Sequence, residues 1–326
     1  MEIKKLANEI LESAIKEDSS DIFIFPHTTY FEVKIRTDSG IKNLKKLEKK
    51  DGVELIGYFK FCGEMDIAEH RRPQVGALER KIRDEKIYLR FSSTGNFLNQ
   101  EALVIRLIYG DKKNNYFFME QINSLKNLCK KRGLIVTSGP TGSGKTSTMY
   151  QLAKSLGSKK IVMTIEDPVE IYESNFLQTQ VNLTANIDYS KLLKAALRNR
   201  PDILIIGEIR DKLTARLAIN AALSGHLVLA TVHAKSSLQT ISRLEGLGIN
   251  KSELFNSLTA VSYQRLIWNK HNQQLACLLD IASGKKMEVE IFNDKRNDFI
   301  DWNNNLRKLR MEGVISEDQF KLFAEG

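Results

Sequence analysis

The chain has 326 residues, of which 42% are apolar and 27% charged, as in an ordinary globular protein with room for two domains. No segment approaches about 18 consecutive apolar residues, and the N-terminus lacks the apolar core of a signal peptide, so neither a membrane span nor export is predicted. The three cysteines, Cys62, Cys129 and Cys277, form no C-x-x-C pair, which argues against a zinc site and favours a reducing compartment.

The formal net charge of +9 allows two interpretations. An excess of Lys and Arg can bind an acidic partner, such as nucleic acid or anionic lipid headgroups. Here the basic residues alternate with Glu and Asp along most of the chain, which favours solvated surfaces over a dedicated anionic partner. Direct binding of nucleic acid is therefore not expected.

Residues 1–110 carry the pattern of a small α+β domain. Apolar side chains recur at helical spacing at Ile3, Leu6, Ile10 and Leu11, which predicts an amphipathic first helix. Short runs typical of strands follow: DIFIF, YFEVKIR, KIYLRFSS and EALVIRLIY. The sequence TDSG after the second run predicts a turn.

After this domain the pattern changes to strands and helices in alternation. Residues 111–118 begin with a polar, unpatterned stretch and are interpreted as a linker. Between residues 119 and 284, helical segments separate the apolar runs GLIVTSG, KKIVMTIED, DILIIGE and HLVLATVHA, which predicts a parallel sheet covered on both faces. Residues 285–326 are interpreted as a helical appendage whose last helix is capped by Ser316.

The sequence GPTGSGKT matches the P-loop pattern G-x-x-x-x-G-K-[ST], and it lies between a predicted strand and a predicted helix, as the motif requires. Glycines allow backbone N–H groups to approach phosphates, and the helix directs its positive end at the anion. We expect Lys145 to neutralise the β- and γ-phosphates of ATP, and Thr146 to place its hydroxyl on Mg²⁺. The predicted nucleotide-binding residues are Gly139, Pro140, Thr141, Gly142, Ser143, Gly144, Lys145, Thr146 and Ser147.

Acidic residues and a histidine follow the other predicted strands of this sheet. Glu208, just past the run DILII, is expected to orient the attacking water and to help bind Mg²⁺, partly through water; the alternative is a surface ion pair. Glu166 and Asp167 end another strand, where carboxylates beside phosphate need a metal ion or ordered water between them. His233 ends the run HLVLATV and either senses the γ-phosphate or is a structural histidine.

Four segments together resemble the Walker A, Asp box, Walker B and His box of the type II secretion and type IV pilus ATPases: GPTGSGKT, TIEDPVE, ILIIGEIRD and LSGHLVLATVHA. The segment QRLIW resembles a further stretch of that family, and the order and spacing of the motifs agree. The resemblance implies a hexameric ring whose subunits have a PAS-like N-terminal domain and a RecA-like C-terminal ATPase domain. It also implies a partner in the inner membrane, a platform protein through which domain rotation adds or removes pilin subunits. The chain itself would then be cytoplasmic and peripherally associated with the plasma membrane.

The resemblance also assigns roles to particular residues. Glu208 is implied as the catalytic acid, acting with Glu166 and Asp167, while His233 and His226 match the histidines of the His box.

Arginines of the N-terminal domain contact the γ-phosphate in this family, and Arg90 and Arg106 are the candidates here. Two departures from the family pattern bear on this expectation and on the subgroup. The stretch PQVGA stands where the family has P-Q-D-G-R, so an expected arginine is missing. The tetracysteine zinc motif of many assembly ATPases is also missing.

The single N-terminal domain and the W-x-x-x-L tail helix are most similar to the competence, or DNA-uptake, pilus ATPases of Gram-positive bacteria. A pilus retraction motor shares every motif and stays an alternative. A nucleic-acid translocase on a RecA-like fold is a second alternative, although basic clusters such as residues 42–50 lack aromatic partners. The intact Lys145, Thr146 and Glu208 argue against a scaffold that binds ATP without turnover.

Replacing the P-loop lysine provides the first test. We expect Lys145→Ala to lower ATP turnover by at least about 100-fold, because it removes the charge that stabilises the transferring phosphoryl group. Steady-state phosphate release measures this, with Lys159→Ala, outside the motif, as the control. Full activity in Lys145→Ala would show that the assigned site is wrong.

Overall fold

Helices and strands separate along the chain into two units, Met1–Gly110 and Asp111–Gly326. The computed structural model describes residues 2–37, 40–82, 85–110, 114–182, 185–293 and 295–326. Two residues of the predicted TDSG turn and the first three residues of the predicted linker lie outside these ranges.

The first unit is an antiparallel sheet packed with two helices. Its elements are α1 (Glu2–Lys16), β1 (Asp21–Pro26), β2 (Tyr30–Thr37), β3 (Gly40–Glu48), α2 (Lys49–Cys62), β4 (Gln74–Ile82), β5 (Glu85–Gly95) and β6 (Glu101–Ile108). The strand order is β3-β2-β1-β6-β5-β4, and every neighbouring pair is antiparallel. This arrangement confirms the predicted α+β pattern, the amphipathic first helix and the four predicted strands.

Three elements of this unit were not predicted from the sequence: β3, α2 and β4. Strand β3 lies at the sheet edge and most of its residues are exposed, with Leu47 its one buried side chain. Edge strands rich in lysine resist pairing with other chains, and their pattern lacks the apolar alternation that identifies a half-buried strand. Apolar and charged residues are mixed along helix α2, KKDGVELIGYFKFC, so its apolar residues show only a weak helical repeat.

The second unit is built around a seven-stranded sheet. Its elements are α3 (Met119–Leu128), β7 (Gly133–Ser138), α4 (Lys145–Ser155), β8 (Val162–Glu166), β9 (Phe176–Gln180), α5 (Tyr189–Arg198), β10 (Ile203–Ile206), α6 (Lys212–Leu223), β11 (Leu227–Val232), α7 (Gln239–Gly246), α8 (Lys251–Ser257), β12 (Leu258–Asn269), β13 (Gln274–Ser283), α9 (Gly284–Phe292), α10 (Trp302–Met311) and α11 (Glu317–Leu322). The strand order is β13-β12-β7-β11-β10-β8-β9.

Six of these strands run parallel to one another, and the seventh, β13, pairs antiparallel with β12 at the edge of the sheet. Residues of the central strands alternate between two buried clusters, so that Leu134 and Val136 join one cluster and Ile135 joins the other. Helices α5, α6, α7 and α8 contribute to the first cluster, and α3 and α4 to the second. The predicted parallel sheet with both faces covered is therefore confirmed.

Residues that follow the first unit are held against β13. The backbone N–H of Cys277 donates to the carbonyl of Asn115 at 2.6 Å, and the N–H of Phe117 donates to the carbonyl of Cys277 at 3.1 Å. Residues 114–117, interpreted from the sequence as part of a linker, thus extend the edge of the sheet.

The last three helices pack against the core of the second unit. Met287 and Ile291 of α9 are buried in the first cluster, and Trp302 of α10 is fully buried beside Tyr263 of β12. Ser316 caps α11 through a capping box with Gln319, which confirms the predicted cap. Among the described residues, no helix combines the length and apolarity needed to cross a bilayer.

Trp302 and Trp268 provide a matched pair for testing how the C-terminal helices are attached. The Trp302 ring is fully buried and its Nε1 donates to the carbonyl of Phe323 at 2.8 Å, whereas Trp268 is 46% exposed. We expect Trp302→Ala to lower the free energy of unfolding of the second unit by about 3–5 kcal/mol, and Trp268→Ala by less than about 1 kcal/mol. Denaturant titration followed by far-UV circular dichroism measures both. Equal losses would contradict the packing of α10.

Candidate active site

The P-loop connects a fully buried strand to the start of a helix. Strand β7 ends at Ser138, and α4 begins at Lys145 with Gly144 as its N-cap. Gly139 and Gly144 have positive φ angles of 144° and 81°, which favour glycine. The first N–H groups of α4 have no partner within the helix, so this end of the helix is suited to bind an anion.

A cavity of about 340 Å³ lies in front of this loop. It is lined by residues 141–147, by residues at or past the carboxyl ends of β8, β10 and β11, and by Tyr189 at the start of α5. Parallel strands end at the same edge of a sheet, so these segments meet there although they are far apart in sequence. The lining residues outside the P-loop are Glu166, Asp167, Pro168, Glu170, Ile171, Tyr189, Gly207, Glu208, Arg210, Thr231 and His233.

Lys145 lies inside the P-loop and contacts its own backbone. Its Nζ donates to the carbonyls of Gly139 and Pro140 at 2.9 and 2.8 Å, and these two residues are not among the described residues that line the cavity. Burial lowers the pKa of the Lys145 ammonium, and the negative charges of Glu208 and Glu170 oppose that shift.

Thr146 and the surrounding carboxylates form the set of oxygen donors that fits Mg²⁺. The Thr146 hydroxyl donates to Glu170 Oε2 at 3.2 Å, and Glu166, Asp167 and Glu208 line the same cavity. Hard oxygen ligands of this kind suit Mg²⁺, which usually takes its other ligands from phosphates and water. Among the described residues, no group of three or more His, Cys, Asp or Glu side chains could hold a metal ion by itself.

Glu208 sits between a cation and a histidine. Its Oε2 accepts from Arg210 Nε at 2.6 Å, and its Oε1 lies 3.3 Å from His233 Nε2. Arg210 also reaches Asp167, with 3.7 Å between Nη1 and Oδ2. The sequence prediction omitted Arg210, although it lies two residues after Glu208 in the quoted segment ILIIGEIRD.

Two hydroxyl groups donate hydrogen bonds to the Glu166 carboxylate. Its Oε1 accepts from the Tyr150 hydroxyl at 2.6 Å and from the Thr164 hydroxyl at 2.7 Å. Burial raises the pKa of the Glu166 carboxyl, while these two donors favour its ionised form and reduce the shift. Tyr150 is fully buried on α4. It was not predicted as a site residue because a buried aromatic residue on a helix is usually part of the core.

The two histidines of the quoted segment LSGHLVLATVHA lie at opposite ends of β11. His233 follows the carboxyl end and lines the cavity. His226 precedes the strand and its Nδ1 lies 3.1 Å from the carbonyl of Ala221. A strand of six residues spans about 20 Å. His226 is therefore remote from the cavity.

Arg90 and Arg106 belong to the first unit. They lie opposite each other in the pairing of β5 with β6, and Arg106 Nε donates to Asp21 Oδ1 at 3.0 Å. Their contact with the γ-phosphate stays a prediction.

Residues 1–304 match the family described as type II/IV secretion system protein. The chain belongs to this family. It is 36% identical over 317 residues to the competence protein ComGA of Streptococcus pneumoniae, with 97% of each chain covered. It is 39% identical over 273 residues to ComGA of Bacillus subtilis, covering 81% of this chain and 76% of that protein.

A third relative is longer than this chain. The type II secretion system protein E of Klebsiella pneumoniae is 35% identical over 274 residues, covering 81% of this chain and 54% of that protein. Membership of this family of secretion-system proteins confirms the predicted enzyme class, an ATPase.

Two solved structures share the fold. The Legionella pneumophila ATPase DotB has a TM-score of 0.76 at 18% identity, covering 97% of this chain and 94% of that chain. The pilus retraction motor PilT with bound ADP has a TM-score of 0.75 at 22% identity, covering 97% and 96%. The fold is therefore that predicted: a RecA-like P-loop core with a parallel sheet, preceded by a small α+β domain of the PAS-like type.

Glu208→Gln separates a catalytic role from a structural one. The amide keeps the shape of the side chain but not its charge, so we expect ATP affinity to change by less than about threefold and kcat to fall by about 100-fold or more. Equilibrium binding and steady-state hydrolysis measure the two effects. Glu245→Gln, which removes the charge from an ion pair with Arg296 outside the cavity lining, is the control. Lost ATP binding in Glu208→Gln would mean that Glu208 is structural.

Proposed function

We propose that the chain is the motor of a competence pilus, a hexamer that hydrolyses Mg-ATP and drives pilin assembly for DNA uptake. The observation that carries this proposal is the meeting of Lys145, Thr146 and Glu208 around one cavity at the N-terminus of α4. The competence subgroup is supported by the 36% identity to ComGA of Streptococcus pneumoniae over nearly the full length of both chains.

In the proposed reaction, the chain's residues bind the triphosphate and position water. The N–H groups of the P-loop and the Lys145 ammonium hold the β- and γ-phosphates, which concentrates positive charge where negative charge develops. Thr146 and Glu208, the latter partly through water, would hold Mg²⁺, with Glu170 beside them. When bound, Mg²⁺ neutralises charge on the phosphate oxygens.

Glu208 is proposed as the residue that orients the attacking water. Its Oε2 is fixed by Arg210, which leaves Oε1, on the His233 side, to accept a hydrogen bond. Glu166 and Asp167 assist in this role. The water would thereby be held in the direction of attack before hydrolysis, which supplies the positioning that phosphoryl transfer requires.

The mechanical partner proposed is a platform protein of the plasma membrane, reached from its cytoplasmic face. Hydrolysis around the ring would move the N-terminal domains, and the platform protein would transmit this movement to pilin subunits. Arg90 and Arg106 are proposed as the N-terminal residues that respond to the γ-phosphate. No direct contact with nucleic acid is included in the proposal.

Steady-state ATPase activity distinguishes this motor from a nucleic-acid translocase. We expect the cytoplasmic part of the cognate platform protein to stimulate hydrolysis, and single-stranded DNA to leave it unchanged, because the basic residues alternate with Glu and Asp along most of the chain. Lys145→Ala with platform protein provides the background rate. Stimulation by DNA alone, lost as salt is raised, would replace the pilus motor with the translocase.

A further inference from the structure

The direction of a P-loop N–H depends on the carbonyl of the preceding residue. In a trans peptide the C=O and the N–H point in opposite directions. The N–H groups of Gly144 and Lys145 therefore face the cavity only while the carbonyls of Ser143 and Gly144 point away from it. A flexible glycine-rich loop needs outside contacts to keep these two peptides in that orientation.

The first carbonyl is held by Gln264, in the QRLIW segment of β12. Gln264 is fully buried, and its Nε2 donates to the carbonyl of Ser143 at 2.6 Å. The backbone of β12 also lies against the start of the loop, because a methyl group on Gly139 would come within 2.5 Å of the Gln264 carbonyl oxygen. One residue of β12 thus contacts both ends of the P-loop.

The second carbonyl is held by another amide side chain. Asn114 Nδ2 donates to the carbonyl of Gly144 at 3.0 Å and to the hydroxyl of Thr148 at 3.1 Å. The same carbonyl accepts the first hydrogen bond of α4, from the N–H of Thr148 at 3.0 Å. The Gly144 carbonyl is thereby directed along α4, and neither Asn114 nor Gln264 is among the described residues that line the cavity.

Stability alone does not explain a glutamine at position 264. Its Oε1 is buried and has no hydrogen-bond partner in the described part of the chain, and the same holds for the nearby Ser143 hydroxyl. A buried polar atom without a partner is destabilising, and an apolar side chain of similar shape would remove that cost while leaving the Ser143 carbonyl without its donor. The hydrogen bond from Gln264 to the Ser143 carbonyl is therefore better explained by its effect on the orientation of the P-loop backbone.

We propose that Gln264 and Asn114 are positioning residues of the P-loop, which hold the carbonyls of Ser143 and Gly144 outward so that the N–H groups of Gly144 and Lys145 face the phosphates. The inference rests on the proposed function, because it assumes that this loop binds the phosphates of a nucleotide. It extends the site to Gln264 in β12 and to Asn114, neither of which is among the described residues that line the cavity.

Gln264→Met tests the role of the first amide in the full chain. Methionine is similar in size and shape but cannot donate to Ser143. Gln121→Met is the matched control, because Gln121 Nε2 also donates to a backbone carbonyl, that of Leu279 at 2.8 Å, but outside the P-loop. Isothermal titration calorimetry with ADP and with inorganic pyrophosphate, both with excess Mg²⁺, measures affinity, and thermal unfolding without ligand measures stability.

We expect Gln264→Met to weaken the binding of ADP and of pyrophosphate by the same factor, about tenfold, and Gln121→Met to change either by less than about twofold. The melting temperature of nucleotide-free Gln264→Met should fall by no more than about 4 °C, because removal of the unpaired Oε1 offsets part of the cost of leaving the Ser143 carbonyl without its donor. Unchanged affinities, or a loss for ADP but not for pyrophosphate, would overturn the inference.

If Gln264→Met does not fold, Asn114→Leu tests the inference through the second amide. It removes the second amide from a half-buried position at similar side-chain volume, and we expect severalfold weaker pyrophosphate binding. Wild-type affinity in that variant would overturn the inference while leaving the proposed function intact. Wild-type protein that binds neither ADP nor pyrophosphate would instead refute the proposed nucleotide site, and the inference with it.

Discussion

The candidate active site exists because parallel strands end together at one edge of a sheet. Strands β7, β8, β10 and β11 each deliver a short polar segment to that edge, although these segments are spread over about a hundred residues of sequence. The strands themselves are buried on both faces and tolerate few polar groups, so the polar residues of the site lie mostly at the last residues of the strands and just past their ends. The remaining structure keeps these strands in register.

Charge balance shapes the interior of the cavity. Glu166, Asp167, Glu170 and Glu208 all line it, and like charges this close would repel each other without compensation. The described contacts reduce this repulsion in two ways. Arg210 lies beside two of these carboxylates, while hydroxyl groups donate to the others. Each carboxylate thereby acquires a fixed orientation, which a site for phosphate, metal and water requires.

The C-terminal helices are connected to the P-loop through one strand. Gln264 contacts the loop, and its neighbour Tyr263 packs against the ring of Trp302 in α10. The Tyr263 hydroxyl accepts from Arg265, whose Nη2 donates to the carbonyl of Gly326 at 2.7 Å. Because protein interiors are closely packed, a shift of these helices would displace β12 and, through it, the P-loop. The tail interpreted from sequence as an appendage is thus in contact with the strand that supports the loop.

The sequence by itself determined the parallel sheet, the P-loop and the positions of Lys145, Thr146 and Glu208 relative to the strands. These features depend on local rules: glycines at positive φ, apolar runs of strand length and the placement of polar residues at strand ends. The tertiary structure alone decided that Arg210 joins Glu208 to Asp167, that Tyr150 holds Glu166, and that Gln264 and Asn114 support the loop from outside the cavity. Contacts of this kind join residues far apart in sequence, or depend on side-chain direction within a packed core, and neither periodicity nor motif spacing encodes them.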